Sequence, residues 1–130
     1  MVEGLGVDII EIARIRRTME EQGEAFLHRI FTAREIAYCA AKANPSQHYA
    51  ARFAAKEAVS KAMATGWSGE FAWCDVEVMN DVAGRPQVAL HGRLGERLAG
   101  CRVLVSLSHS ESHVVAVALI ERGGGSSAAG

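Results

Sequence analysis

The chain has 130 residues, with 14 Lys and Arg against 15 Asp and Glu, and 49% of it is apolar. That length fits one domain with a real core and leaves little room for a second. The near balance of charge gives no global field toward nucleic acid or an anionic membrane, so any charged partner has to be read by a local patch.

Cys39, Cys74 and Cys101 are widely spaced and contain no CxxC pair. This argues against a disulfide framework or a zinc site and suits a reducing cytoplasm. Glu3 comes at once, no basic segment precedes an apolar core, and the longest uninterrupted apolar run, 114–120, is far too short to span a bilayer. The expectation is a cytoplasmic protein, neither exported nor held in a membrane.

Residues 2–10, VEGLGVDII, alternate as a strand does, with Leu5, Val7 and Ile9 on one face and Gly4, Gly6 and Asp8 on the other. A helix is predicted over 11–22, with Ile12 and Ile15 on its apolar stripe beside Arg14, Arg16 and Arg17. Thr32 followed by Glu35 is a capping box that opens a helix to about Lys42. The NPSQ segment then breaks the chain before a long alanine-rich helix, roughly Gln47 to Thr65, with Gly66 as its stop.

Beyond Gly66 the period becomes alternating. DVEVMN and PQVALH read as strands joined by the turn DVAGRP, a short helix covers Gly92 to Leu98, and RVLVSLSH and HVVAVALIE form a hairpin through an SES turn. One strand, several helices and then mostly strands with short turns give an α+β class, an antiparallel or mixed sheet with helices packed on one side. A single domain over 1–121 and a flexible Gly/Ser/Ala tail over 122–130 complete the organisation; no repeat is present.

The chemistry concentrates in 52–62, RFAAKEAVSKA. On a helical wheel Glu57 and Lys61 share a side with Ala50, Phe53 and Ala54, and the opposite side carries Ala55, Val59 and Ala62. A helix apolar nearly all round is a buried one, where a carboxylate is costly unless something positive meets it. An i,i+4 pair between Glu57 and Lys61 is one answer; a metal or a phosphate is the other.

Asp8 reads either as the cap of the helix that follows or as a second carboxylate beside Glu57, its neighbours Gly4 and Gly6 leaving room for a ligand to lie flat on the strand. Two carboxylates suit Mg²⁺, which keeps waters and draws further oxygens from substrate phosphates, and Lys61 then counters phosphate charge. His109 ends a strand on the face of Val103, Val105 and Leu107, an ordinary place for a half-buried histidine and also for a functional one. Ser110 with His109 lacks a triad carboxylate or a GxSxG elbow, Cys101 reads as a small core residue, and no P-loop, GxGxxG, HExxH or EF-hand string is present.

Three stretches, GVDIIEIARI at 6–15, RFAAKEAVSKAM at 52–63 and SLSHSESHVVAVAL at 106–119, occur in the order found in one family, with lesser matches at 31–32, 64–66, 75–78 and 84–86. The chain resembles the small bacterial 4′-phosphopantetheinyl transferases, the holo-[acyl-carrier-protein] synthase type, over about residues 4–121. The resemblance implies transfer of 4′-phosphopantetheine from coenzyme A to a serine of apo acyl carrier protein, with release of 3′,5′-ADP, in support of fatty acid biosynthesis. It implies that Asp8 and Glu57 hold Mg²⁺ against the pyrophosphate and that Lys61 neutralises the reacting phosphate. Arg52, Lys56, Gly84, Pro86, Ser108 and His109 match positions lining the coenzyme A cleft, and the family's trimers place that cleft between subunits.

Arg14 with Arg17 at i,i+3 reads either as a solvated helix face or as a basic docking patch for the acidic carrier, for which the resemblance favours Arg14, although EEQGE at 20–24 weakens its field. The base that deprotonates the carrier serine stays open among a metal-bound water, Glu57 and His109. A competing reading is a module that binds coenzyme A or the carrier without transferring anything; the set Asp8, Glu57 and Lys61 argues against it.

Overall fold

The computed structural model describes residues 1–63 and 71–123. In chain order these form β1 (Val2–Glu11), α1 (Ile12–Ile30), α2 (Ala33–Ala40), α3 (Pro45–Ala62), a 3₁₀ turn at Trp73–Asp75, β2 (Val76–Asn80), β3 (Pro86–Leu90), α4 (Gly92–Arg97), β4 (Cys101–His109) and β5 (His113–Arg122). All strand pairs are antiparallel: one sheet has the order β1-β5-β4, and β2 and β3 make a separate two-stranded ribbon. The class is α+β, as the element order implies. Among the described residues no helix is long and apolar enough to cross a membrane.

Helix α3 lies along the three-stranded sheet, and its small side chains are what let it come so close. Ala50, Ala54, Ala55, Ala58 and Val59 have no exposed surface, and Val114, Ala116, Ala118 and Ile120 of β5 bury against them in the same core. On β1 the contact is backbone to backbone. A Cβ on Gly4 would stand 2.1 Å from the Ala62 carbonyl oxygen, and one on Gly6 2.1 Å from that of Ala58. The glycine face is therefore filled by α3, which corrects the expectation of a ligand lying flat there. The other face of the sheet is bare, with Leu5, Val7 and Ile9 of β1, Leu104 of β4 and Val117 of β5 exposed.

Element boundaries differ from the sequence reading at several places; α2 ends at Ala40 and α4 at Arg97, each a little early. The first helix continues past residue 22 to Ile30, interrupted at Gly23, whose φ of 59° is open to glycine, so two helical pieces meet at a kink. Helix α3 begins at Pro45, a residue suited to the first turn, and ends at Ala62 with Met63 as its cap; Thr65 and Gly66 lie outside the described residues. Asp75, read as the start of a strand, belongs to the 3₁₀ turn.

The capping box of α2 is formed in full. Thr32 Oγ1 accepts from the Glu35 N–H at 3.2 Å and Glu35 Oε1 accepts from the Thr32 N–H at 2.9 Å. Glu35 is also buried, accepts from the Val78 N–H at 2.7 Å and meets Lys56 Nζ at 2.9 Å. One carboxylate thereby ties α2, α3 and β2 together.

Candidate active site

Lys56 is the first site expectation that the structure corrects. It has no exposed surface, and its ammonium is held by Glu35 and by the carbonyl oxygens of Trp73 and Val76. Burial pulls its pKa down while the Glu35 carboxylate opposes that. With every donor engaged in the core, Lys56 offers nothing to a ligand and leaves the cleft-lining set.

The residues on either side of it in the motif point elsewhere. Asp8, on the inward face of β1, is only 13% exposed, and Lys61 Nζ donates to its Oδ1 at 3.0 Å and to the Val7 carbonyl oxygen at 3.4 Å. Lys61 thus pairs with Asp8 across the strand, not with Glu57 along its own helix. Asp8 does not cap α1 either: the helix starts at Ile12, its cap residue is Glu11, and no side chain bonds to that end. Glu57 is half-buried on α3. Burial and the Asp8 charge raise its pKa, and Lys61 and Arg14 act the other way. Asp8, Glu57, Lys61 and Arg14 therefore form one electrostatic cluster.

This cluster fits a hard divalent cation. Two carboxylates repel one another here, and the charge already drawn to Asp8 is a lysine ammonium, a stand-in for a positive ion. No group of three or more His, Cys, Asp or Glu side chains suited to a metal is gathered among the described residues. A cation between Asp8 and Glu57 would draw its other ligands from water and a substrate, as Mg²⁺ does at phosphates.

A second cluster sits near the start of α3. Lys42 Nζ and the Arg52 guanidinium stand over the Tyr38 ring, 4.4 and 4.2 Å from its centroid. His48 packs edge-on against the same ring; burial and then the charges of Arg52, Lys42 and His109 lower its pKa. His109 Nε2 is 3.0 Å from Gln47 Nε2. Arg52 is 3% exposed, donates to Asn80 Oδ1 at 2.7 Å, and has an Nε with no hydrogen-bond partner. Asn80 Nδ2 in turn donates to the Gly84 carbonyl oxygen at 3.0 Å, which ties Arg52 to the turn before Pro86. The crowding of cations makes this an anion-receptive wall.

The structure brings Asp8, Glu57 and Lys61 together and keeps His109 apart from them. Gln47, which touches His109, precedes Glu57 by ten residues of α3, about 15 Å at 1.5 Å per residue. Ser108 is exposed on β4 and shares with His109 a shallow depression of about 380 Å³ also bordered by Ile9, His113 and Val115. Arg14 and Arg17 are exposed on α1. The sequence reading missed Tyr38, Lys42, Gln47 and Asn80. Their only signal was polar or aromatic character next to the break at NPSQ and the DVAGRP turn.

Residues 4–118 match the family model described as the 4′-phosphopantetheinyl transferase superfamily. A holo-[acyl-carrier-protein] synthase of Geobacter sulfurreducens is 46% identical over 125 residues, covering 94% of this chain and 99% of the relative. Among solved structures, holo-[acyl-carrier-protein] synthase from Neisseria meningitidis superposes with a TM-score of 0.83 at 33% identity, covering 94% of this chain and 100% of that one. The Bacillus anthracis enzyme in complex with CoA (3′,5′-ADP) gives 0.79 at 34% identity, covering 95% and 99%.

Proposed function

Because the chain belongs to the 4′-phosphopantetheinyl transferase superfamily, we propose that it works as a magnesium-dependent holo-[acyl-carrier-protein] synthase through the Asp8, Glu57 and Lys61 cluster. It transfers the 4′-phosphopantetheine group from coenzyme A to a serine of apo acyl carrier protein and releases 3′,5′-ADP. The observation that carries the assignment of roles is the ion pair of Asp8 with the half-exposed Lys61, with Glu57 within electrostatic reach of both, at the seam of β1 and α3.

Asp8 and Glu57 would hold Mg²⁺, which when bound would supply charge neutralisation of the pyrophosphate and an electrophilic pull on the phosphoryl group. Lys61, 53% exposed and held by a single carboxylate, is free to turn from Asp8 to a phosphate oxygen. Glu57, half-buried beside Asp8, is one candidate for the base that accepts the serine proton. Arg52, the Gly84 to Pro86 turn, Ser108 and His109 line the part of the coenzyme A cleft farther up α3. The separation of the two clusters along the helix suits a ligand that carries phosphates at more than one place. Arg14 and Arg17 on α1, beside the carboxylates, form the docking face for the acidic carrier.

The assembly is a homotrimer that covers the bare sheet face of Leu5, Val7, Ile9, Leu104 and Val117, a surface too apolar to suit a lone chain. His109 then reaches the reacting centre only from a neighbouring subunit. Residues 1–121 act as one domain, in the cytoplasm, serving fatty acid biosynthesis; the tail expected from residue 122 starts later, because Arg122 is the last residue of β5 and pairs with Glu3. Intact mass of apo acyl carrier protein after incubation with the chain and coenzyme A is the test. A gain of one phosphopantetheine with Mg²⁺ and none with excess EDTA is the expected result. Equal gain in both refutes the metal role, and no gain with coenzyme A still bound leaves a binding module.

A further inference from the structure

His109 is organised by a side chain outside every motif of the family resemblance. A backbone carbonyl can only accept, so His109 Nδ1, 3.4 Å from the Ser110 carbonyl oxygen, carries the ring proton. In the neutral imidazole Nε2 is then a lone pair, and Gln47 Nε2 at 3.0 Å donates to it. The same orientation leaves Gln47 Oε1 to accept from Asn44 Nδ2 at 3.5 Å. Three contacts agree on one tautomer and one amide orientation.

We propose that Gln47 is a positioning residue: its side-chain amide holds neutral His109 as the Nδ1–H tautomer with the Nε2 lone pair engaged. The ring therefore serves the coenzyme A cleft as a hydrogen-bond donor, through the loosely held Nδ1–H, and not as the base for the carrier serine. This rests on the reading of His109 as a wall of that cleft. It resolves one of the three candidates for the base, because a nitrogen already accepting from Gln47 is closed to a second proton.

Nitrogen-15 NMR of the imidazoles in the full chain, at about pH 8 where free histidines are neutral, reads the tautomer without any substrate. His109→Ala identifies the signals. The wild type shows Nδ1–H; Gln47→Glu, whose carboxylate only accepts, turns the ring to Nε2–H, and Gln47→Leu abolishes the Nδ1–H preference. A wild-type ring already in the Nε2–H form, or one that Gln47→Glu leaves unchanged, overturns the proposal. Kinetically, Gln47→Glu raises KM for coenzyme A about tenfold at constant kcat, and the effect disappears in a His109→Ala background. An increase that persists without His109 overturns action through the ring. A flipped tautomer with unchanged KM, while mass transfer to the carrier proceeds, overturns the donor role and the placing of His109 in the cleft but leaves the transferase reading intact.

Discussion

Helix α3 carries two lysines five residues apart, and they live by different rules. Lys56 and its partner Glu35 are both fully buried, and the ammonium has two carbonyl oxygens besides. Lys61 is 53% exposed and bonded to Asp8, with only a long contact to the Val7 carbonyl oxygen in addition. A buried, saturated ion pair cannot change partners without leaving a charge in the core, whereas a half-exposed one can at little cost. The motif spells the two lysines alike. Only the surroundings make one a fastener of the fold and the other a reagent.

The largest effect that would separate the two is on catalysis. Asp8→Ala lowers kcat/KM for carrier modification by about a thousandfold, and the thermal transition stays close to the wild type; full activity would remove Asp8 from the reacting centre. Lys56→Ala does the reverse. It strands the Glu35 carboxylate and lowers stability by about 3–5 kcal/mol in urea titrations, with little loss of activity per folded molecule. A large kinetic loss without unfolding would return Lys56 to the cleft.

Next in size is a pH effect on the fold side of the comparison. Glu77, buried in β2, accepts from Thr32 Oγ1 at 2.7 Å, His91 Nε2 at 2.9 Å and Arg34 Nη2 at 3.0 Å. Burial alone would raise its pKa, but these donors outweigh it and bring the carboxyl down to about 2. A carboxyl with a lower pKa folded than unfolded contributes stability that is complete above the unfolded value of 4.5 and lost as pH falls toward 2. That contribution is about 3 kcal/mol, and Glu77→Gln flattens the acid limb of stability against pH; an unchanged limb would contradict it. Smaller still, Arg14→Glu raises KM for the carrier about tenfold by reversing one contact charge, with coenzyme A binding spared. Lys61→Gln sits at the bottom of the stability scale, with Tm within about 2 °C of the wild type, although transfer slows; a large drop in Tm would make it a second Lys56.

Much of this architecture was legible in the residues. The all-round apolar character of 50–62 announced a buried helix, Thr32 and Glu35 announced the start of α2, and the alternation after 75 gave both hairpins. The orientation of β1 was not legible. Alternation defines two faces, and hydrophobicity would send Leu5, Val7 and Ile9 inward. The structure turns them out, because the inner face is chosen by how closely a helix backbone can approach. The surroundings of Glu77 were not legible either, because alternation with Val76 and Val78 says which face it shares and not that Thr32, Arg34 and His91 stand against it. The site was half legible: spacing joined Glu57 to Lys61, but the partner of Lys56 stands 21 residues earlier in the chain, a distance no local pattern reports.

The seam at Gly4 and Gly6 reaches beyond packing. Where strand and helix touch through atoms common to every amino acid, no side chain is available to act as a shim, and the gap between the carboxylates of Asp8 and Glu57 is set by the main chain itself. A saturation scan of this protein should therefore find some of its most intolerant positions at two residues with no functional group, because any larger residue there forces apart the two halves of the reacting centre.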